Sequence, residues 1–131
     1  MYYGDELGME GGADPECRRP MRWDQTEGNA LHSHFQTLAR LRQDNEALRN
    51  GSFRTVTVLP NGLYAYKRAT DKQILLCVLN TSLAPAAGRI ELPEDMAGLA
   101  AVHDLYGDRS IPVNAGGVQL SLRSGEGLIL A

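Results

Sequence analysis

The change in apolar spacing at Gly51 constrains the fold of this 131-residue chain more than any other feature. Before it, from Asn29 to about Asn45, Leu31, Phe35, Leu38 and Leu41 recur at intervals of four, three and three, with Leu48 one heptad beyond Leu41. That is the stripe of an amphipathic helix. Asn29 stands where an N-cap belongs, Asp44-Asn45 weakens the run, and Asn50-Gly51 supplies a stop and a turn, so the reading is one helix with a short helical tail over Glu46 to Arg49.

Beyond Gly51 the period falls to two. Phe53 to Leu59 and Leu63 to Arg68 flank the turn Pro60-Asn61-Gly62 and read as a hairpin. Gln73 to Asn80 is a nearly continuous apolar run, suited to a central strand covered on both faces. Further short strands are expected at Gly88 to Leu92, Ala100 to Leu105, near Ile111, at Val118 to Leu122 and at Gly127 to Leu130. Short strands at this spacing, separated by Gly and Pro, predict a mainly β chain with an antiparallel β-sandwich. Two regions follow: residues 1–50, read as a strand, a long loop and a helix that cannot enclose a core alone, and residues 51–131, with enough strands to do so.

Composition narrows the function classes. A net charge of -3, with no basic run longer than Arg18-Arg19, gives no field for a polyanion, so nucleic acid is not an expected partner. The sequence has no apolar run long enough to cross a bilayer and no signal-peptide pattern at its start, and it reads as soluble and cytoplasmic. Cys17, in an Arg-flanked loop, and Cys77, in ILLCVLN, have no CxxC neighbour and read as one surface and one core thiol. His32 and His34 are two residues apart, which on a helix turns them to different sides, and His103 stands alone. No metal and no cofactor are expected.

The opening segment, MYYGDELGMEGGADPECRRPMRWD, packs Gly, Asp and Arg into a loop directly after a strand-like start. Read by themselves, Asp14-Pro15 caps a turn and Arg18 is a solvated charge. Tyr2, Tyr3 and Trp23 offer rings to a sugar but read more naturally as core. Met9 and Met21 read as packing residues, and Arg19 and Arg22 as solvated or ion-paired. Tyr64 and Tyr66 share one strand face, as a packed pair would, although with Tyr106 they could also offer a carbohydrate platform. Asp5 and Glu6 are adjacent, and neighbours on a strand point to opposite faces, so they cannot form a convergent acid and nucleophile pair.

The ordered set Tyr2-Tyr3-Gly4-Asp5-Glu6, Gly8-Met9, Gly11-Gly12, Asp14-Pro15, Arg18, Pro20-Met21 and Trp23-Asp24, continued by Leu38, Leu41-Arg42, Ala47-Leu48 and Gly51, resembles the α-amylase family, glycoside hydrolase family 13. The likeness is strongest to its neopullulanase, cyclomaltodextrinase and maltogenic amylase branch. It implies that residues 1–50 are the eighth strand, substrate loop and eighth helix of a catalytic (β/α)8 barrel, and residues 51–131 the Greek-key-type β-sandwich that follows it. A full barrel takes about 250 residues, so the chain is expected to be a carboxyl-terminal fragment.

The resemblance further implies a retaining mechanism with two carboxylates about 5–5.5 Å apart, both contributed by earlier barrel strands, so no catalytic residue is expected here. What it carries over is substrate binding: Asp14 and Arg18 as loop residues that hydrogen-bond a glucose unit of an α-glucan oligosaccharide on the non-reducing side of the cleavage point. The expected role of the chain is structural support plus this donor-subsite loop, with the missing barrel as partner. A free-standing carbohydrate-binding or protein-interaction β-sandwich module is the alternative. Without a barrel, the stripe Leu31, Phe35, Leu38 and Leu41 with Tyr2 and Tyr3 should drive self-association or leave the first thirty residues unordered.

Overall fold

The computed structural model describes residues 2–131, so Met1, the first residue of the expected barrel strand, lies outside the described residues. Two compact units emerge, one through Arg40 and one comprising Leu41–Ala131.

In the first unit the segment read as a strand is not one. Tyr2 to Gly8 forms a turn and a 3-10 helix over Asp5–Leu7. The physical reason is hydrogen-bond supply: a strand needs a neighbour, whereas here the backbone closes on itself. The Gly4 carbonyl accepts from Leu7 N and Met9 N, both at 3.0 Å, and Gly4 sits at φ 89°, in the left-handed region that glycine reaches without strain. The two acidic side chains complete the turn. Asp5 Oδ2 accepts from Tyr2 N at 2.7 Å and Glu6 Oε2 from Gly4 N at 3.0 Å.

The helix is as expected. α1 spans Ala30–Asp44, and Asn29 caps it, its Oδ1 accepting from His32 N at 3.0 Å. No residue of α1 is buried, and Leu31 and Leu38 remain 40% and 38% exposed. Among its described residues the unit holds a single α-helix and three 3-10 turns, with no second layer to receive an apolar stripe.

The second unit takes in the last residues of α1, from Leu41, and continues with the helical tail, α2, over Glu46–Asn50. Gln73 fixes it: Ala47 N donates to Gln73 Oε1 at 3.0 Å, and Gln73 Nε2 donates to Asn45 Oδ1 at 2.6 Å. Gly51 then passes so close that an added Cβ would meet the Ala47 carbonyl oxygen at 2.4 Å and Ala69 N at 3.0 Å, which explains why the stop is glycine.

Eight strands follow: β1 Ser52–Val58, β2 Leu63–Ala69, β3 Ile74–Asn80, β4 Ala86–Glu91, β5 Ala101–Asp104, β6 Arg109–Pro112, β7 Gly117–Leu122 and β8 Gly127–Leu130. They form an antiparallel six-stranded sheet in the order β1-β2-β3-β8-β5-β6 and a two-stranded sheet, β4-β7. β8 returns to lie beside β3 after the chain has built β4 to β7, a Greek-key-type connection. Each strand expected beyond Gly51 is present, and the antiparallel sandwich holds.

Period-two alternation is plain in β5, β7 and β8, where buried and more exposed residues alternate. The core lies between the sheets. Leu63, Ala65, Leu76, Val78, Val102, Leu128 and Leu130 of the larger sheet join Ala86, Ile90, Val118, Leu120 and Leu122 of the smaller, with Leu92 and Met96 closing one end. Burial of this apolar surface is the main term holding the unit together. β3 carries Leu75 to Val78 buried in succession, as its apolar run predicts.

Candidate functional site

Asp14 and Arg18 lie on the loop between Gly8 and Asn29, and local turns set their spacing. Glu16 N donates to the Ala13 carbonyl at 2.7 Å and Arg18 N to the Pro15 carbonyl at 3.0 Å, forming the 3-10 helix Glu16–Arg18. The turn brings the two side chains together. Arg18 Nε lies 2.9 Å from Asp14 Oδ1 and Arg18 Nη2 3.2 Å from Asp14 Oδ2, a two-point fork, with the side chains 75% and 63% exposed. Nη2 donates to Oδ2 while the Nε–Oδ1 approach is an ion-pair contact, so one of the five guanidinium N–H groups is hydrogen-bonded here and each carboxylate oxygen keeps lone-pair capacity. The pair therefore presents donors and acceptors side by side to solvent, the pattern that vicinal hydroxyls match. An exposed pair of this kind contributes only about 0–1 kcal/mol to folding, so stability does not account for it.

The surrounding aromatics depart from expectation. Tyr2, Tyr3 and Trp23 are not core residues: they are 67%, 43% and 73% exposed. The unit has too little structure to enclose them. Tyr2 and Tyr3 rest against each other with ring centroids 4.7 Å apart, and the Tyr3 hydroxyl donates to the Arg19 carbonyl at 2.8 Å. Sequence reasoning missed that bond because no motif signals a tie across sixteen residues. Met9 packs over Gly4, and Arg22 pairs with Asp24 at 3.4 Å. Asp5 and Glu6 are turned back onto their own backbone turn, so they offer no convergent acid and nucleophile, though for a different reason than strand alternation.

In the sandwich, Tyr64 and Tyr66 are the packed pair their spacing predicts, with centroids 5.7 Å apart, and Phe53 stacks on Tyr66 at 5.0 Å and 29°. Cys77, opposite Tyr66 on β3, is buried, and burial pushes its thiol above the ordinary range. Burial and the neighbouring Cys77 likewise push Tyr66 up to about 12. Such groups stay protonated and unreactive near neutrality. Cys17 is exposed, as its loop setting predicts.

Elsewhere a groove of about 410 Å³ runs between Arg54, Thr55, Val56 and Lys67 on one side and Leu92 to Asp95 on the other, spanned by the Lys67–Asp95 ion pair at 2.8 Å. It contains neither Asp14 nor Arg18. Among the described residues no His, Cys, Asp and Glu cluster could hold a metal ion, and no helix is long and apolar enough to cross a membrane.

Comparison with known proteins gives a consistent picture. The chain is 44% identical over 86 residues to a cyclomaltodextrinase of a Bacillus species, an alignment covering 64% of the chain and 15% of that protein. It is 35% identical over 132 residues to neopullulanase 2 of Thermoactinomyces vulgaris, covering 99% of the chain and 22% of that protein. A solved cyclomaltodextrinase superposes with a TM-score of 0.83 at 30% identity, over the whole chain and 23% of that structure. The chain thus spans less than a quarter of the length of these relatives. No protein-family model matches it.

Proposed function

The chain belongs to the α-amylase family, glycoside hydrolase family 13, and from that premise we propose that it is the carboxyl-terminal part of an α-glucan-acting hydrolase, itself non-catalytic. In this reading residues 1–50 contribute the last strand-position segment, substrate loop and helix of a retaining glycosidase barrel, and residues 51–131 a supporting β-sandwich. The Asp14–Arg18 loop forms one edge of the donor subsite, where the carboxylate accepts from a glucose hydroxyl and the guanidinium donates to its neighbour. The observation that carries the subsite assignment is the two-point fork between Asp14 and Arg18, preformed yet open to solvent.

Retaining chemistry requires a carboxylate nucleophile and a carboxylic acid facing one bond. Of the acidic residues in the loop segment, Asp5 and Glu6 bind their own backbone, and Asp14 is held by Arg18. The purified 131-residue chain is therefore expected to release no glucose or maltose from pullulan or maltodextrin in a reducing-sugar assay. Sustained release above a no-protein control would refute the non-catalytic reading.

The apolar stripe of α1 is the expected contact surface for the barrel. With Leu31 and Leu38 more than a third exposed, and Tyr2 and Tyr3 exposed as well, the chain alone should self-associate, and light scattering at tens of micromolar should report a mass above 14.3 kDa that Leu38→Lys lowers. A strictly monomeric wild-type chain would overturn this expectation.

A further inference from the structure

The Asp14–Arg18 fork has a mechanical problem. Both side chains are largely exposed, and an ion pair in water contributes too little to hold a glycine-rich loop in one geometry. The loop carries Gly11 and Gly12, which confer backbone freedom, and its remaining local hydrogen bonds, Glu16 N to Ala13 O and Arg18 N to Pro15 O, shape the turn without fixing its position. Something outside the turn must place it.

We propose that Tyr3 is the positioning residue of this site. Its hydroxyl donates to the Arg19 carbonyl at 2.8 Å, one peptide beyond the residue whose guanidinium holds Asp14. The donor stands on a well-braced base. Tyr3 precedes Gly4, whose carbonyl takes two backbone donors and whose amide is held by Glu6, and its ring rests on Tyr2. The Tyr2-Tyr3 to Glu6 segment therefore acts as a fixed post, and the Tyr3 hydroxyl as the tether joining that post to the sugar-contacting turn. Asp5 and Glu6, which do no chemistry, brace the post. This inference rests on the reading of Asp14 and Arg18 as glucose contacts, and it adds a residue that touches no sugar.

The test uses the isotopically labelled 131-residue chain, maltotriose at millimolar concentration, and NMR. A single subsite binds weakly, so the wild-type chain should show fast-exchange shifts concentrated on the amides of residues 13 to 19, and Asp14→Ala should abolish them. Tyr3→Phe keeps the ring and removes only the tether. It should weaken maltotriose binding about three- to tenfold and increase fast backbone motion at the amides of residues 16 to 19, while the thermal midpoint and the amide spectrum of residues 41 to 131 stay unchanged. A wild-type chain without shifts at residues 13 to 19, or an Asp14→Ala variant that keeps them, overturns the glucose-contact reading itself. Wild-type shifts that persist in Tyr3→Phe with equal affinity and unchanged motion at the amides of residues 16 to 19 overturn the tether alone.

Discussion

Replacing Asp104 by alanine is expected to lower the unfolding free energy by about 2–4 kcal/mol, measured by urea denaturation at neutral pH. Asp104 closes β5 and is fully buried. Its Oδ1 accepts from Tyr106 N at 3.2 Å and Ile129 N at 3.4 Å, joining the β5–β6 connection to β8. Its Oδ2 has Arg109 Nε at 3.3 Å, close enough for an ion pair but not aligned as a hydrogen bond. Alanine leaves two backbone donors without an acceptor and Arg109 still solvated beside Glu126, 3.6 Å away. Asp104→Asn keeps the Oδ1 acceptor and should cost less, about 1–2 kcal/mol. Arg109→Ala tests the other half of the pair: it leaves a buried carboxylate without a counter-charge, which should cost about 2–4 kcal/mol, below the full buried-pair penalty because Arg109 is half exposed. If Asp104→Ala falls within about 0.5 kcal/mol of wild type, the range of ordinary surface substitutions, the carboxylate is not holding the hairpin.

That residue also shows where a sequence stops being informative. The strands were legible because each hydrophobic period is short and local: LYAYKR, ILLCVLN and GLIL each declare their own geometry, and all are strands in the structure. Asn29 as cap and Gly51 as stop were legible for the same reason. Partners were not. Nothing in the spacing told that β8 would lie beside β3, or that β4 and β7 would leave the larger sheet to form their own, because those choices depend on residues 26 to 54 positions apart. A lone Asp at the end of AVHD reads as a solvated strand terminus until the β8 amide arrives to occupy it.

The loop region failed in the opposite direction. Tyr2 and Tyr3 carry strand propensity, yet with no neighbouring strand to pair with, the local bonds of Gly4 win. Trp23 and the tyrosines read as core on statistical grounds, and a unit with one helix has no core to offer them. Asp14 and Arg18 were identified by resemblance, and their four-residue separation made the fork feasible on a tight turn. The Tyr3 tether, by contrast, became visible only when residues 3 and 19 stood next to each other.

The same distinction between local pattern and assembled structure governs the second large effect, expected at Asn80. By sequence it is only the polar end of an apolar strand. In the structure it is 2% exposed, and its Nδ2 group faces three carbonyl oxygens: Ala84 at 2.8 Å, Arg123 at 3.0 Å and Leu122 at 3.2 Å. Its Oδ1 accepts from Ser82 N and Ser82 Oγ, at 3.0 and 2.8 Å. One side chain thus ties the end of β3 to the exit of β7, joining the two sheets where no backbone ladder runs between them. Asn80→Ala removes the donor shared by three carbonyls, the buried Leu122 oxygen among them, and the acceptor of Ser82 N, and should cost about 2–4 kcal/mol. Asn80→Asp is the sharper probe. It fits the same space but sets a carboxylate against those carbonyls, so at neutral pH it should destabilise at least as much as alanine. Burial and the facing oxygens would raise the new carboxyl's folded-state pKa above its unfolded value near 3.9, so its stability is greatest below that pH and is lost as pH rises. Denaturation of Asn80→Asp should therefore show a penalty that shrinks on acidification while that of Asn80→Ala does not. Two variants with parallel pH profiles would mean that the three carbonyls do not share this donor.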